Sequence, residues 1–148
     1  MSINAVSLFS IHRIYGDRIM SGEKKYEYRK RCPEWLISGC EVALFSSDSP
    51  ETLLAMFEVG EILSGSPEEI WRLTGAAGGI DHDSYMRYYE GQSRAFALKI
   101  RNVRRFADRI SVASIMGDDW EPHSFARLTA EQDKAIRKYV VSENFQAT

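Results

Sequence analysis

The sequence predicts one α+β domain in which strands supply the core and helices flank it. Three observations predict this class. The 148 residues suit one compact domain, long enough to bury a core and too short for two ordinary ones. Short apolar or alternating runs recur between turn signals, as strands require. Helix-opening signals, two of them capping boxes, lie between or after those runs.

Taken in order, Val6-Ser7-Leu8-Phe9-Ser10-Ile11 alternates apolar and polar residues and predicts a first strand. Residues 14–21 predict a short helix with Ile14, Tyr15, Ile19 and Met20 on one face, stopped by Gly22. The run 22–31 follows as a second strand, broken by Cys32-Pro33. Val42-Ala43-Leu44-Phe45 is a third, and the Ser46-Ser47-Asp48-Ser49-Pro50 cluster is a loop. Residues 53–62 make a fourth, more hydrophobic strand.

Ser66-Pro67-Glu68-Glu69 sets a cap hydroxyl, a first-turn proline and an acidic N3 residue before Ile70, Trp71 and Leu73, which opens a helix. Gly75, Gly78 and Gly79 read as a connection, because no Gly-Lys-Ser or Gly-Lys-Thr follows to make a phosphate loop. Asp81 caps a second helix carrying Tyr85, Met86, Tyr88 and Tyr89. Residues 94–103 return to strand, with Phe106 extending a hairpin. Thr129-Ala130-Glu131-Gln132 opens a C-terminal helix to about Val141, after which the chain frays.

Several function classes are excluded early. No apolar run approaches the roughly 20 residues that cross a bilayer, and Met1-Ser2-Ile3-Asn4-Ala5 lacks the pattern of a secretory signal. A cytoplasmic protein without membrane association is therefore expected. Cys32 and Cys40 fit no common zinc or redox spacing and read as free thiols. Asp81-His82-Asp83 reads as a helix cap, and no spacing links His12 or His123 to it, so neither metal nor cofactor is expected. The sequence names no partner protein.

The net charge of −2 conceals an uneven distribution. Residues 13–31 are cationic, whereas residues 41–70 contain Glu41, Asp48, Glu51, Glu58, Glu61, Glu68 and Glu69 with no Lys or Arg. Lys99, Arg101, Arg104, Arg105 and Arg109 form a second basic block. Adjacent in space, the two basic blocks would attract phosphate. Each could equally pair with an acidic strand.

The run 22–31 contains the densest chemistry. Strand periodicity puts Lys25, Glu27 and Arg29 on one face, with Tyr26, Tyr28 and Lys30 on the other. A ligand-facing wall and a solvated edge strand both fit that pattern. Glu58 conflicts with its surroundings, since Leu53-Leu54-Ala55-Met56-Phe57-Glu58-Val59 is apolar on both faces. A carboxylate pointing into or beside the core must be paired, hydrogen-bonded or protonated. It serves either as the partner of Arg29 in a register-fixing ion pair or as a general acid or base.

The pattern Gly22-x-Lys24-x-x-Glu27-x-Arg29 resembles the signature of the ASCH domain, a branch of the PUA-like superfamily. Leu8-Phe9-Ser10-Ile11-His12 is similar to that family's opening segment, with Arg13 where its members often have proline. Phe57-Glu58-Val59 resembles the family's acidic central strand, and Ser66-Pro67-Glu68-Glu69-Ile70-Trp71 the helix after it. Ala95-Phe96-Ala97-Leu98-Lys99-Ile100 is similar to a late strand, and Pro122-His123-Ser124-Phe125 to a barrel-closing segment of stand-alone bacterial, archaeal and phage members. The resemblance covers nearly everything before Thr129. It implies a small, mostly antiparallel PUA-like β-barrel with flanking helices over residues 1–128. Residues 129–148 would form a C-terminal helix and tail packed on or trailing the same domain.

The resemblance also implies function. ASCH proteins are thought to bind RNA or modified nucleosides; some remove the acetyl group from acetylated cytidine with lysine, threonine and glutamate, and one is described as a single-strand ribonuclease. Carried over by motif, the lysine is Lys24 and the glutamate Glu58. The threonine position is Glu27, which offers no hydroxyl nucleophile. Strand parity sets Lys24 with the tyrosines, so a turn or bulge after Gly22 has to aim its ammonium into the cleft. The expected ligand-binding set is Lys24, Glu27, Arg29, Glu58, His12, Ser46 and Ser124. The second basic block is expected to meet phosphate, and Tyr26, Tyr28 and Trp71 are stacking candidates. The first expectation is a nucleic-acid-binding module for single-stranded RNA or a modified nucleoside. The alternative is a metal-independent hydrolase of an acylated nucleoside or of single-stranded RNA, with Lys24 and Glu58 catalytic and Ser46 or Ser124 as hydroxyl candidates.

Overall fold

The structure, a computed structural model, describes residues 6–121 and 125–141. Among these residues six strands form one curled sheet: β1 (Ser7–Ile11), β2 (Tyr26–Arg29), β3 (Glu41–Ser46), β4 (Leu53–Gly65), β5 (Ala95–Arg105) and β6 (Phe125–Arg127). Their order is β2-β5-β4-β3-β1-β6, so the expected barrel is realised as a half-barrel with β2 and β6 at its edges. Every pairing is antiparallel except β1 with β3. The helices are α1 (Arg13–Ser21), α2 (Pro67–Thr74), α3 (His82–Tyr88), α4 (Ala113–Met116) and α5 (Ala130–Arg137), with a 3-10 turn at Gly75–Ala77. This is the α+β class that the sequence predicts.

The long central pair carries the architecture. β4 continues to Gly65, three residues past its predicted end, and bulges where its register against β5 shifts between Met56 and Glu58 and again between Val59 and Ile62. Such insertions bend and twist a strand, which curls the sheet. Phe9, Val42, Leu44, Phe57, Val59 and Leu98 pack on one face with Ile19 of α1, and Leu8, Ala43, Phe45 and Met56 pack on the other with Ile136 of α5. Each fully buried aromatic or branched side chain contributes about 1.5–3 kcal/mol.

Both capping boxes form: Ser66 with Glu69, and Thr129 with Gln132. Asp81 accepts the Ser84 amide at 3.1 Å as the cap of α3. α5 is held to the sheet by Ile136 and by Arg137, whose guanidinium meets Glu41 at 2.7 Å.

The structure corrects several expectations. Ile14 is exposed, because α1 turns Gly16 and Ile19 to the sheet instead. Phe106 makes an isolated bridge with Val140 rather than extending a hairpin. α5 ends at Arg137, short of Val141. Four-residue α4 and three-residue β6 gave no periodic signal, since neither is long enough to repeat a hydrophobic period.

Candidate functional site: a cleft beside strand β2

β2 is an edge strand, yet its charges are not solvated. Lys24 and Glu27 are each 4% exposed and Arg29 is 8% exposed. α3 covers the strand's free edge: the Tyr89 hydroxyl donates to the Arg29 carbonyl at 2.9 Å, and that of Tyr88 to the Tyr28 carbonyl at 3.4 Å. A covered edge cannot recruit another strand. The charges therefore face a cleft of about 800 Å³, walled by the end of β1, α1, β2 and α3.

Glu27 and Arg29 point to the same side, as alternation requires. Arg29 Nη2 lies 2.7 Å from Glu27 Oε2, donates to the Ser10 carbonyl at 2.8 Å, and its guanidinium sits 4.2 Å from the Phe9 ring centroid. Lys24 precedes the strand, in a turn fixed by its amide bonding the Arg18 carbonyl and the Lys25 amide bonding that of Ala77. That turn releases Lys24 from strand parity. Its ammonium donates to the Gly78 carbonyl at 2.8 Å and stands 4.7 Å from the Tyr28 ring centroid. Burial lowers its pKa to about 8; the Glu27 carboxylate opposes the shift, and the Arg29 and Arg18 cations add to it.

The glycine connection is the wall behind these groups. A Cβ on Gly79, at φ 66°, would lie 2.4 Å from Lys24 Cβ, and one on Gly78 would lie 2.2 Å from the Tyr28 hydroxyl. Only a backbone without side chains approaches this closely. The Thr74 hydroxyl donates to the Ile70 carbonyl at 2.7 Å, so Tyr28 donates to Thr74 Oγ1 across their 2.8 Å contact. Burial raises the Tyr28 pKa.

The structure thus brings Lys24, Glu27 and Arg29 together. His12 stands at the cleft mouth, with Nδ1 3.1 Å from Asp48 Oδ1. Ser46 does not line the cleft: it is fully buried, and its hydroxyl donates to the Asp48 carbonyl and accepts the Asp48 amide. Its neighbour Ser47 lines the cleft instead. Ser124 lies outside the described residues.

Glu58 is absent from the cleft lining. Phe57 and Val59, which flank it, pack on the α1 face with Leu98, opposite Glu27 in the register, so alternation turns Glu58 to the other face of the sheet. There it is half-buried and accepts the Asn102 side-chain amide at 2.6 Å. Neither burial in the core nor a pair with Arg29 is realised, because Glu58 faces the other side of the sheet from Glu27 and Arg29.

The second basic block is also placed elsewhere. Arg104 binds Glu41 at 2.6 Å and Arg105 approaches Asp108 at 3.9 Å, and no residue of the block lines the cleft. Arg104 thus reaches an acid on β3, two strands away across β4. Trp71 packs on His82 and Tyr85, and Tyr26 receives Lys99, which leaves Tyr28 as the one stacking candidate of the three in the lining.

The sequence did not reveal Tyr15, Arg87 and Tyr88 as cleft residues. A signal was present in the doublet Tyr88-Tyr89: adjacent helical residues project about 100° apart, so one of the two must leave the core. Among the described residues no group of three or more His, Cys, Asp or Glu side chains could hold a metal ion. Among them, too, no helix is long and apolar enough to cross a membrane.

No family model matches the sequence, and a search of curated proteins finds no match. Solved structures do match. ASCH from Zymomonas mobilis superposes with a TM-score of 0.83 at 18% identity, over 93% of this chain and 97% of that one. The chain has the ASCH fold. A mutant form of the Zymomonas protein agrees, with a TM-score of 0.81 at 19% identity over 93% and 99% of the two chains. The N-terminal domain of Staphylothermus marinus McrB is more distant, at 0.60 and 11% over 90% and 93%. The shared ASCH architecture is the curled sheet with helices around it, and the cleft described above is this chain's own set of side chains on that frame.

Proposed function

We propose that the cleft receives one nucleobase, and that the chain is a binding module for single-stranded RNA or a modified nucleoside. The observation that supports this reading is the buried trio at the cleft floor. Lys24 and Arg29 offer donors and Glu27 an acceptor within reach of one bound molecule, beside the rings of Tyr15 and Tyr28. A nucleobase presents both donors and acceptors on its edge and a π-face to stack. Lys30, Arg31 and Arg87 on the rim suit phosphate. Fluorescence anisotropy with labelled single-stranded RNA, competed by modified nucleosides, tests it: binding that weakens as salt rises is expected. No binding at low salt would sink the proposal.

One observation favours a second reading, a metal-independent hydrolase. Lys24 has its pKa lowered to about 8, so part of the population holds a neutral amine at physiological pH and can accept a proton from water. In that chemistry Glu27, not Glu58, is the carboxylate at hand. Acetylated cytidine and single-stranded RNA are incubated with the chain and with Lys24→Ala, Glu27→Gln and Glu58→Ala. Turnover lost in the first two variants and kept in the third supports catalysis in the cleft; substrate bound but unchanged leaves the binding module.

A further inference from the structure

We propose that the rim beside Tyr88 is a second nucleotide subsite, so that the ligand is a strand of at least two nucleotides rather than a free nucleoside. The inference rests on the reading of the cleft floor as a nucleobase site. Tyr88 is 38% exposed, whereas Tyr85 and Tyr89 of the same aromatic cluster are 0% and 2% exposed. Its ring is nevertheless fixed. Tyr89 packs edge-on at 4.7 Å and 71°, and the hydroxyl donates to the Tyr28 carbonyl at the strand edge. An exposed aromatic that cannot turn away is a preorganised stacking platform.

Its surroundings carry the complementary charge. The Lys30 ammonium lies 4.7 Å from the Tyr88 ring centroid, and Arg31 and Arg87 share the same rim. Among the described residues Glu27 is the only carboxylate in the lining, and it lies on the floor against Arg29. At the His12 side the Asp48 carboxylate lies 3.1 Å from the imidazole, which opposes phosphate there. A strand whose first base occupies the floor therefore leaves across Tyr88 and not past His12. Lys30 is exposed, and an exposed cation–π contact is weaker than base stacking on an aromatic ring. A second base takes the ring face, and the displaced ammonium moves to the phosphate joining the two nucleotides.

The test measures the affinity of the full chain for a ribonucleoside, the corresponding dinucleoside monophosphate and a tetranucleotide. The dinucleoside monophosphate is expected to bind about 10-fold tighter than the nucleoside. Tyr88→Ala collapses that ratio towards one, Tyr88→Phe, which keeps the ring but loses its anchor, lowers it less, and Lys30→Ala lowers the salt slope of tetranucleotide binding by about one. Equal affinity for nucleoside and dinucleoside monophosphate in the unmodified chain overturns the subsite and leaves the floor site standing. A ratio that survives Tyr88→Ala overturns it as well. No binding by any of the three probes overturns both.

Discussion

Arg29 holds Glu27 at 2.7 Å from two positions along the same edge strand, and both side chains are more than nine-tenths buried. The pair is a polar floor set into a hydrophobic sheet, with Phe9 beneath the guanidinium. Removing one partner of such a pair strands the other charge. Glu27→Ala is expected to cost about 3–5 kcal/mol in chemical unfolding, and the double variant Glu27→Ala with Arg29→Met less than Glu27→Ala alone. A double variant at least as destabilised as the single one would show that the pair does not set the cost.

Lys24 couples stability to pH. Its pKa falls from 10.5 to about 8 through burial, so between those values the unfolded chain binds a proton that the folded chain lacks. Stability from this group therefore rises with pH across that window, and the cost of burying the charge is fully present below pH 8. Relative to Lys24→Met, the unmodified chain should gain about 3 kcal/mol of unfolding free energy from pH 8 to 10.5. Ligand binding has the opposite sense, weakening as pH passes 8 and the cation is lost. Parallel denaturation curves for the two proteins over this range would refute the coupling.

Two glycines at positive φ separate conformational strain from lost space. Gly22, at φ 88°, has nothing within 4 Å of an added Cβ, whereas Gly79, at φ 66°, would drive that atom into Lys24. Gly22→Ala should cost about 1 kcal/mol, from the left-handed backbone alone. Gly79→Ala should cost about 3 kcal/mol and impair binding, since it displaces the ammonium as well. Thermal unfolding together with ligand titration of both variants tells the two effects apart.

On the far face, Glu41 anchors α5 by meeting Arg137 at 2.7 Å, while it also accepts from Arg104 of β5 at 2.6 Å. Burial pushes its pKa up, but the two guanidinium hydrogen bonds outweigh burial and hold it below the usual carboxylate value. Its contribution is present above the ordinary pKa of about 4.5 and disappears as pH falls through the lowered folded value. Glu41→Gln should cost about 2 kcal/mol at neutral pH and speed amide exchange in residues 130–137. If exchange there is unchanged, Ile136 and the Asp133 carboxylate, which accepts the Val6 amide at 3.1 Å, hold α5 without Glu41.

Much of the fold was legible locally. Ser66 with Glu69 and Thr129 with Gln132 specify helix starts within four residues, because a cap is satisfied by its own chain. The spacing Gly22, Lys24, Glu27, Arg29 was legible too, and three of its side chains meet as one floor. Glu58 misled because an acid among apolar neighbours looks buried on periodicity alone, while bulges in β4 and the partner Asn102 are set by strand pairing.

The sequence by itself determined the α+β class, the helix caps and the charged, aromatic composition of β2, since these rest on interactions between residues a few positions apart. Only the tertiary structure decided which charges face the cleft. α3 arrives some sixty residues after β2 to cover its edge, Gly78 and Gly79 close behind Lys24, and the sheet turns Glu58 and Arg104 to its other side. Those choices depend on packing between distant segments, which no local pattern encodes.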